Sequence, residues 1–283
     1  MKVENPESAE LFLEKTQIFL EKNEIKGNLI YGLSNNLLKN ENYYGNEDPF
    51  YSIVYEKDEV KLIGLMTLPY KMNIFQNGLF NDLSIDIFIN NIMNHYKNIP
   101  GIAGEKNITE IFVEKWSKIN NSKILLEKNL RSYKLEEVNN YNKPNGIFRI
   151  AEINDKSVIK NYTMNFNDEI NEPVNYDKIF ENNLIEEINN GLYYVWENQK
   201  IVSMAKKVRP TKNSMTINYV YTPNKYRRNG YATAITAELS KTILNSGKKY
   251  CILFTDLSNL TSNSIYQKIG YKVVYDNVSY KFE

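Results

Sequence analysis

The sequence predicts an α+β chain, mixed α/β in content, arranged as two tandem domains. Its 283 residues suffice for two cores at the usual domain size of about 100–200 residues. Short apolar strand-like runs alternate with longer amphipathic runs, in a similar order in both halves. Between the halves lies Asn139-Asn-Tyr-Asn-Lys-Pro-Asn-Gly146, rich in turn formers and poor in residues that could pack. The expected division is therefore 1–142 and 143–283.

In the first half, Leu11, Phe12, Ile18, Phe19 and Leu20 mark a helix over Pro6 to Asn23, and a second helix covers Leu29 to Lys39. Phe50 to Tyr55 and Val60 to Leu68 form a hairpin across the polar turn Glu56-Lys-Asp-Glu59. There follow a short strand at Asn73 to Phe75, a helix at Leu83 to Tyr96, a strand at Gly101 to Gly104 and a helix at Thr109 to Ile119. An extended stretch over Ile124 to Val138 closes the half. An unrelated α+β domain with the same order of elements is the alternative for this half.

The second half begins with a strand at Ile147 to Glu152. Helices at Lys156 to Asn167 and Tyr176 to Asn189 flank an acidic loop containing Asp168, Glu169, Glu172 and Pro173. Strands at Leu192 to Trp196 and Ile201 to Val208 lead to a third in which Met215, Ile217, Tyr219 and Tyr221 alternate with Thr216, Asn218, Val220 and Thr222. Pro223, with no N–H to donate, stops it. A helix beginning at about Gly230 is marked by Ala232, Ile235, Leu239 and Ile243; then come a strand at Tyr250 to Thr255, a helix at Thr261 to Ile269, and strands at Val273 to Tyr275 and Val278 to Phe282.

The turn Asn224-Lys-Tyr-Arg227-Arg228-Asn229-Gly230, between a strand and a helix, reads as an anion site. A helix start leaves its first backbone N–H groups unpaired at the positive end of the peptide dipoles, which suits a phosphate. Gly230 permits close approach, Ala232 is small, and Arg227 and Arg228 offer permanent charges that fork onto phosphate oxygens. A basic surface turn with an incidental glycine is the plainer reading.

Composition narrows the classes. A hydrophobic content of 42% indicates a globular chain, and a formal net charge of +1 argues against a general nucleic-acid or membrane-surface binder. Cys251, the lone cysteine, lies in the apolar run Tyr250 to Phe254 and reads as a buried strand thiol. His95, the lone histidine, leaves no multi-histidine metal set and reads as a partly exposed helix residue. Neither a charged-then-apolar leader nor a bilayer-length apolar span occurs, so the expected location is cytoplasmic, as a monomer or homodimer.

Arg227-x-x-Gly230-x-Ala232, with its strand and helix, resembles the pyrophosphate loop of the Gcn5-related N-acetyltransferases. Asn259-Leu-Thr-Ser262-Asn263-Ser-Ile-Tyr266, followed by Gly270-Tyr271, resembles a second segment of that family, with Ser262 where alanine is commoner. The resemblance extends over about Gly146 to Glu283. It implies a mostly antiparallel central sheet flanked by helices in each domain, acetyl-CoA as cofactor, and acetyl transfer to an amine, expected to be that of a small molecule. The pantetheine arm would lie along Tyr219, Val220 and Tyr221, and the phosphates would meet the N–H groups of Arg228, Asn229, Gly230, Tyr231, Ala232 and Thr233. Asn259 would bond the pantetheine, Asn263 is either a second contact or a helix-surface residue, and Thr261 or Ser262 caps the helix. Tyr266 falls where the family keeps its general acid; on residue type alone it reads as a core aromatic.

The first half lacks this chemistry, since Gln76-Asn-Gly-Leu-Phe-Asn-Asp82 has no arginine and an acid where phosphate would sit; it reads as a degenerate copy. The general base stays unassigned. Where members that acetylate protein N-termini carry a glutamate, this chain has Phe254, with Asp256 the nearest acid, while Asp168, Glu169 and Glu172 lie where they would attract a cationic amine. Two other readings stand beside transfer to a small amine: a tandem-domain aminoacyl transferase and a non-catalytic binding or scaffold protein.

Overall fold

Strands and helices alternate in the computed structural model as the apolar patterns require. It describes residues 1–78, 82–172 and 174–283, so Leu79, Phe80 and Asn81 of the first-half loop, and Pro173 of the acidic loop, lie outside the described residues. Two units result: one comprises Met1–Ser132, Asp256–Ser258 and Val274–Glu283, the other Tyr133–Thr255 and Asn259–Val273.

Unit one contains β1 (Lys2–Glu4), α1 (Ala9–Lys22), α2 (Asn28–Lys39), β2 (Phe50–Glu56), β3 (Glu59–Met66), β4 (Met72–Gln76), α3 (Asp82–His95), β5 (Gly101–Glu105), α4 (Lys106–Asn120) and most of β6 (Ile124–Leu135). Strands β1 to β4 pair antiparallel in sequence, and β4 pairs parallel with β5. Lys57 and Asp58 both have positive φ (49° and 66°), the backbone of the two-residue turn whose twist suits a hairpin. Phe88, Phe112 and Trp116 from α3 and α4 cover one face of the sheet. Phe12, Phe19 and Leu20 from α1 meet Tyr51, Ile63 and Phe75 on the other.

The last strand, β12 (Lys272–Phe282), supplies unit one from Val274 onward, pairing antiparallel with β5 from Asn277↔Glu105 to Lys281↔Gly101. Approach is so close at Gly101 that a Cβ there would lie 2.1 Å from the Tyr280 carbonyl oxygen, which only glycine avoids. Two short strands are expected here from the polar pair Asp276-Asn277, yet one continuous strand forms. Arg131 forks onto the Asp276 carboxylate at 2.8 and 3.0 Å, and the Asn277 amide donates to Ser132 Oγ at 2.9 Å, so both polar residues are satisfied in place.

Unit two contains β7 (Ile147–Ile150), α5 (Lys156–Glu169), α6 (Lys178–Asn189), β8 (Tyr193–Asn198), β9 (Lys200–Val208), β10 (Ser214–Tyr221), α7 (Tyr231–Asn245), β11 (Tyr250–Asp256) and α8 (Leu260–Ile269), with Asp256 itself assigned to unit one. Strands β7 to β10 pair antiparallel, and β10 pairs parallel with β11, the same plan as unit one. Trp196, Ile217, Ile235, Leu239, Cys251 and Tyr266 fill the face toward α7 and α8. Ile159, Tyr162, Leu184, Ile188, Tyr193 and Tyr221 fill the face toward α5 and α6.

The units divide at Ser132/Tyr133, ahead of the turn-rich stretch. Tyr133 and Leu135 are buried in the core of unit two, the Asn139 N–H donates to the Ile269 carbonyl at 2.8 Å, and Trp196 Nε1–H donates to the Asn145 carbonyl at 3.0 Å. A stretch rich in turn formers is thus held by backbone hydrogen bonds together with Tyr141, which packs on this core and donates to Glu238. Among the described residues no helix is long and apolar enough to cross a membrane, and no group of histidine, cysteine and acidic side chains is arranged to hold a metal.

Candidate cofactor and acyl-transfer site

Strand β10 leaves its parallel partner early. Its register with β11 runs Ser214↔Tyr250, Met215↔Cys251 and Thr216↔Ile252, while the strands continue to Tyr221 and Asp256. On the β9 side the register shifts between Asn218↔Lys206 and Tyr221↔Met204, where β10 spends three steps against two. This is a β-bulge. Tyr219 has φ 50°, and its N–H donates to the Asn218 side-chain oxygen at 2.8 Å.

The bulge overturns the simple alternation expected of this strand. Met215, Ile217 and Val220 belong to the core under α7 and α8, whereas Tyr219 and Tyr221 belong to the opposite core under α5. One inserted residue reverses the facing of everything after it. No sequence signal announces this beyond Asn218, whose amide serves the N–H that the ladder abandons.

After Tyr221 the chain passes Pro223 and a short 3₁₀ turn at Asn224–Tyr226, then takes positive φ at Arg228 (65°) and Gly230 (82°) before α7 starts at Tyr231. Gly230 is the N-cap and no side chain caps the helix, as expected of an open N-terminus. A Cβ on Gly230 would have only Pro144 near it, at 4.0 Å, so glycine serves the backbone angle and the space above it is clear. Ala232 and Thr233 lie half-buried in the first turn, and the Tyr231 hydroxyl accepts from the Asn198 amide at 2.9 Å.

The two arginines part company. Arg227 donates through Nε to the Thr222 carbonyl at 2.9 Å and through Nη2 to both oxygens of Glu169 at 2.7 Å, so its fork is committed to bracing the loop. Arg228 is exposed and makes no hydrogen bond or ion pair among the described residues. Asn229 donates to the carbonyls of Tyr226 and Arg227, at 3.1 Å each. Helix α5 runs through Asp168 and Glu169, which therefore end a helix and do not stand in a loop.

At α8 the cap is Asn259, whose side-chain oxygen accepts from the Ser262 N–H at 3.0 Å; this differs from the expected capping by Thr261 or Ser262. Both ends of the Asn263 amide are engaged, accepting from Tyr133 Oη at 2.7 Å and donating to the Asn259 carbonyl at 2.8 Å. Tyr266 is buried in the core, flanked by Tyr133 and Tyr271 with ring centroids at 6.3 and 6.0 Å. Burial pushes its phenol up to about 12, with the Ser262 hydroxyl one turn back opposing the shift. Such a phenol holds its proton at neutral pH. Its place in the core therefore does not conflict with an expected role as proton donor.

Cys251 is buried, with its Sγ 3.6 Å from the Ser240 carbonyl, and burial raises its thiol to about 12, which makes it inert. His95 is exposed at the end of α3. The Asp256 carboxylate accepts from the Ser258 N–H and hydroxyl at 2.7 and 2.6 Å. Sequence reasoning missed the pair of buried Lys206 and half-buried Glu187, N–O 2.6 Å; the trace was a lysine two residues after the buried Met204 of β9.

Residues 197–280 match the family model described as FR47-like protein. No curated protein matches the chain. Among solved structures it is similar to an acetyltransferase of the Gcn5-related family from Colwellia psychrerythraea (TM-score 0.61, 12% identity, all of both chains covered). It is also similar to a Gcn5-related N-acetyltransferase from Sphaerobacter thermophilus (0.65, 11%, covering 99% of this chain and 95% of that one). A third likeness is to a tandem protein of the same fold from the clavulanic acid biosynthesis pathway (0.59, 7%, 100% and 98%). These likenesses show the fold over the full length, and the match to the FR47-like family model falls on the half that carries the bulge, the open helix start and Tyr266.

Proposed function

We propose that the chain transfers an acetyl group from acetyl-CoA to the amine of a small molecule, using unit two. The carrying observation is that β10 parts from β11 just ahead of its bulge and then delivers the chain to an uncapped helix start. These features fit acetyl-CoA. A strand edge released from pairing suits its amide-bearing arm, and a bare helix N-terminus with clear space at Gly230 suits its phosphates.

In this reading the backbone of Tyr219, Val220 and Tyr221 holds the arm, with the Tyr219 N–H already engaged by Asn218. Arg228, Asn229, Gly230, Tyr231, Ala232 and Thr233 hold phosphates, and Arg227 keeps the loop in shape through Glu169. Asn259, Ser262 and Asn263 line the start of α8. When bound, acetyl-CoA supplies an acetyl thioester, whose carbon–sulfur bond breaks as the carbon–nitrogen bond to the amine forms. One proton leaves the amine and one reaches the departing sulfur. In this reading Tyr266, which keeps its proton at neutral pH, supplies the second one. Asp168 and Glu172 draw a cationic amine toward the site.

A small acceptor is favoured by Phe254 at the strand position where an acid would serve a protein N-terminus. Calorimetry of the full chain with acetyl-CoA, followed by thiol release in the presence of a panel of small amines, tests the reading. Binding with amine-dependent thiol release is expected; binding without release supports the scaffold reading, and no binding overturns the assignment of cofactor.

A further inference from the structure

Proton transfer and phosphate binding leave unused an ion pair built on a buried lysine. Lys206, 7% exposed on β9, places its ammonium 2.6 Å from a Glu187 carboxylate oxygen, 5.0 Å from the centre of the Tyr193 ring and 5.5 Å from that of Tyr219. Taking an ammonium out of water is costly, and an apolar side chain of the same length would fill this space without that cost. What distinguishes the lysine is its position. It pairs across the ladder with Asn218, the residue before the bulge, and its charge lies against the ring of the bulged residue itself.

Tyr219 needs holding. A non-glycine residue at φ 50° is strained, and such a conformation persists only where its surroundings fix it. Three contacts do so: the N–H bond to Asn218, the Phe166 ring at 4.9 Å, and the Lys206 ammonium, which Glu187 from α6 and Tyr193 from β8 immobilise in turn. The bulge decides how the following stretch of β10, Val220 and Tyr221, is directed at the point where β11 has fallen away.

We propose that Lys206 is a positioning residue for the acyl group: its ammonium, locked by Glu187 beneath Tyr219, holds the bulge whose backbone N–H groups meet the acyl carbonyl. This rests on the acetyl-CoA reading. It separates from that reading because CoA shares the phosphates and the arm with acetyl-CoA and lacks only the acyl carbonyl, so the ratio of the two affinities reports the acyl contact by itself.

The test is calorimetry of the full chain with acetyl-CoA and with CoA. Wild type should favour acetyl-CoA by about tenfold, the scale of one good hydrogen bond. Lys206→Met, which keeps the apolar stem, should lose most of that preference while binding CoA within about twofold of wild type, and Lys206→Arg should restore part of it. Where Lys206→Met fails to fold, Glu187→Gln, which frees the ammonium but keeps a hydrogen-bonding partner, should shift the same ratio. Equal weakening of both ligands, an unchanged ratio, or a wild type with no preference overturns the role of Lys206. A wild type that binds neither ligand overturns the acetyl-CoA reading instead.

Discussion

Strand β4 of unit one runs from Met72 to Gln76 in unbroken register with β3, whereas β10 of unit two, at the same place in the order of elements, carries an extra residue at Tyr219. The connections that follow also contrast. Both contain a positive-φ glycine with open space around it, Gly78 (φ 87°) and Gly230 (φ 82°), but the helix after the first opens on Asp82 and the second is preceded by Arg227 and Arg228. In the next helix, six residues beyond the first helical residue, unit two has Tyr266 (from Leu260) and unit one has Phe112 (from Lys106), both buried. A scaffold repeated in order and pairing can therefore differ at a few positions that carry chemistry. Scaffold and chemistry are separable, and each of the following experiments tries to break that separation.

The largest effect should come from the end of the chain. Removing Val274–Glu283 deletes the β12 pairing with β5, the buried Val278, the stack of Phe282 on Trp116 at 6.0 Å and the Arg131–Asp276 fork. Burial of large apolar side chains contributes about 1.5–3 kcal/mol each, so the loss is on the order of a whole domain's stability. Hydrogen exchange should show unit one unprotected although the deletion lies 140 or more residues from its helices in sequence. Retained protection in β2, β3 and α3 would show that β12 is dispensable.

Next is a matched pair of glycines. Gly230→Glu should abolish acetyl-CoA binding, because a carboxylate beside an open helix start repels phosphate and also strains a positive-φ site. Gly78→Glu imposes the same backbone strain in unit one and should leave binding unchanged. Equal losses in the two variants would sink the assignment of the cofactor to unit two, and calorimetry on folded protein decides.

Tyr266→Phe makes the buried hydroxyl of unit two resemble its counterpart Phe112. Single-turnover acetyl transfer at saturating cofactor should slow by about 10²–10⁴-fold, the usual contribution of a positioned acid, with the fold kept. A second readout follows from the phenol's shift. A group raised from its ordinary value of 10 to about 12 on folding stabilises fully below pH 10 and loses that contribution as pH rises toward 12. The Phe variant should therefore lose less stability than wild type between pH 10 and 12. Wild-type turnover would leave Tyr266 a core aromatic only.

Periodicity made most of this scaffold legible, including α7 from Tyr231, the β2–β3 hairpin and the burial of Cys251. Open helix starts are legible too, since glycine and arginine are chosen for backbone angle and charge. What stayed hidden depends on partners distant in sequence. The bulge at Tyr219 is fixed by Asn218, Phe166 and Lys206, and local alternation misassigned its face. The continuity of β12 depends on Arg131 and Ser132, so its polar middle reads as a break until those partners are known. The segment at Asn139–Gly146 packs through backbone groups and through Tyr141, whose partner Glu238 lies far along the chain, and composition reports neither.

The smallest effect concerns the two arginines, which look equivalent in the motif and are not. Arg227 spends its fork on Glu169 and the Thr222 carbonyl, and that ion pair is 43% and 41% exposed, so water screens most of its Coulomb energy. Arg227→Met should weaken acetyl-CoA binding by only about two- to threefold, through loosening of the loop, and a double-mutant cycle with Glu169→Gln should give a coupling of about 0.2–1 kcal/mol in stability. Arg228 has no such commitment and should act directly on the phosphates: Arg228→Met should cost about five- to tenfold and flatten the fall in affinity with salt. The ordering matters more than either value. If Arg227→Met proved the more damaging and also removed the salt dependence, Arg227 would have to leave Glu169 to meet the ligand, and the contrast with unit one's arginine-free loop would rest on both arginines together, not on Arg228.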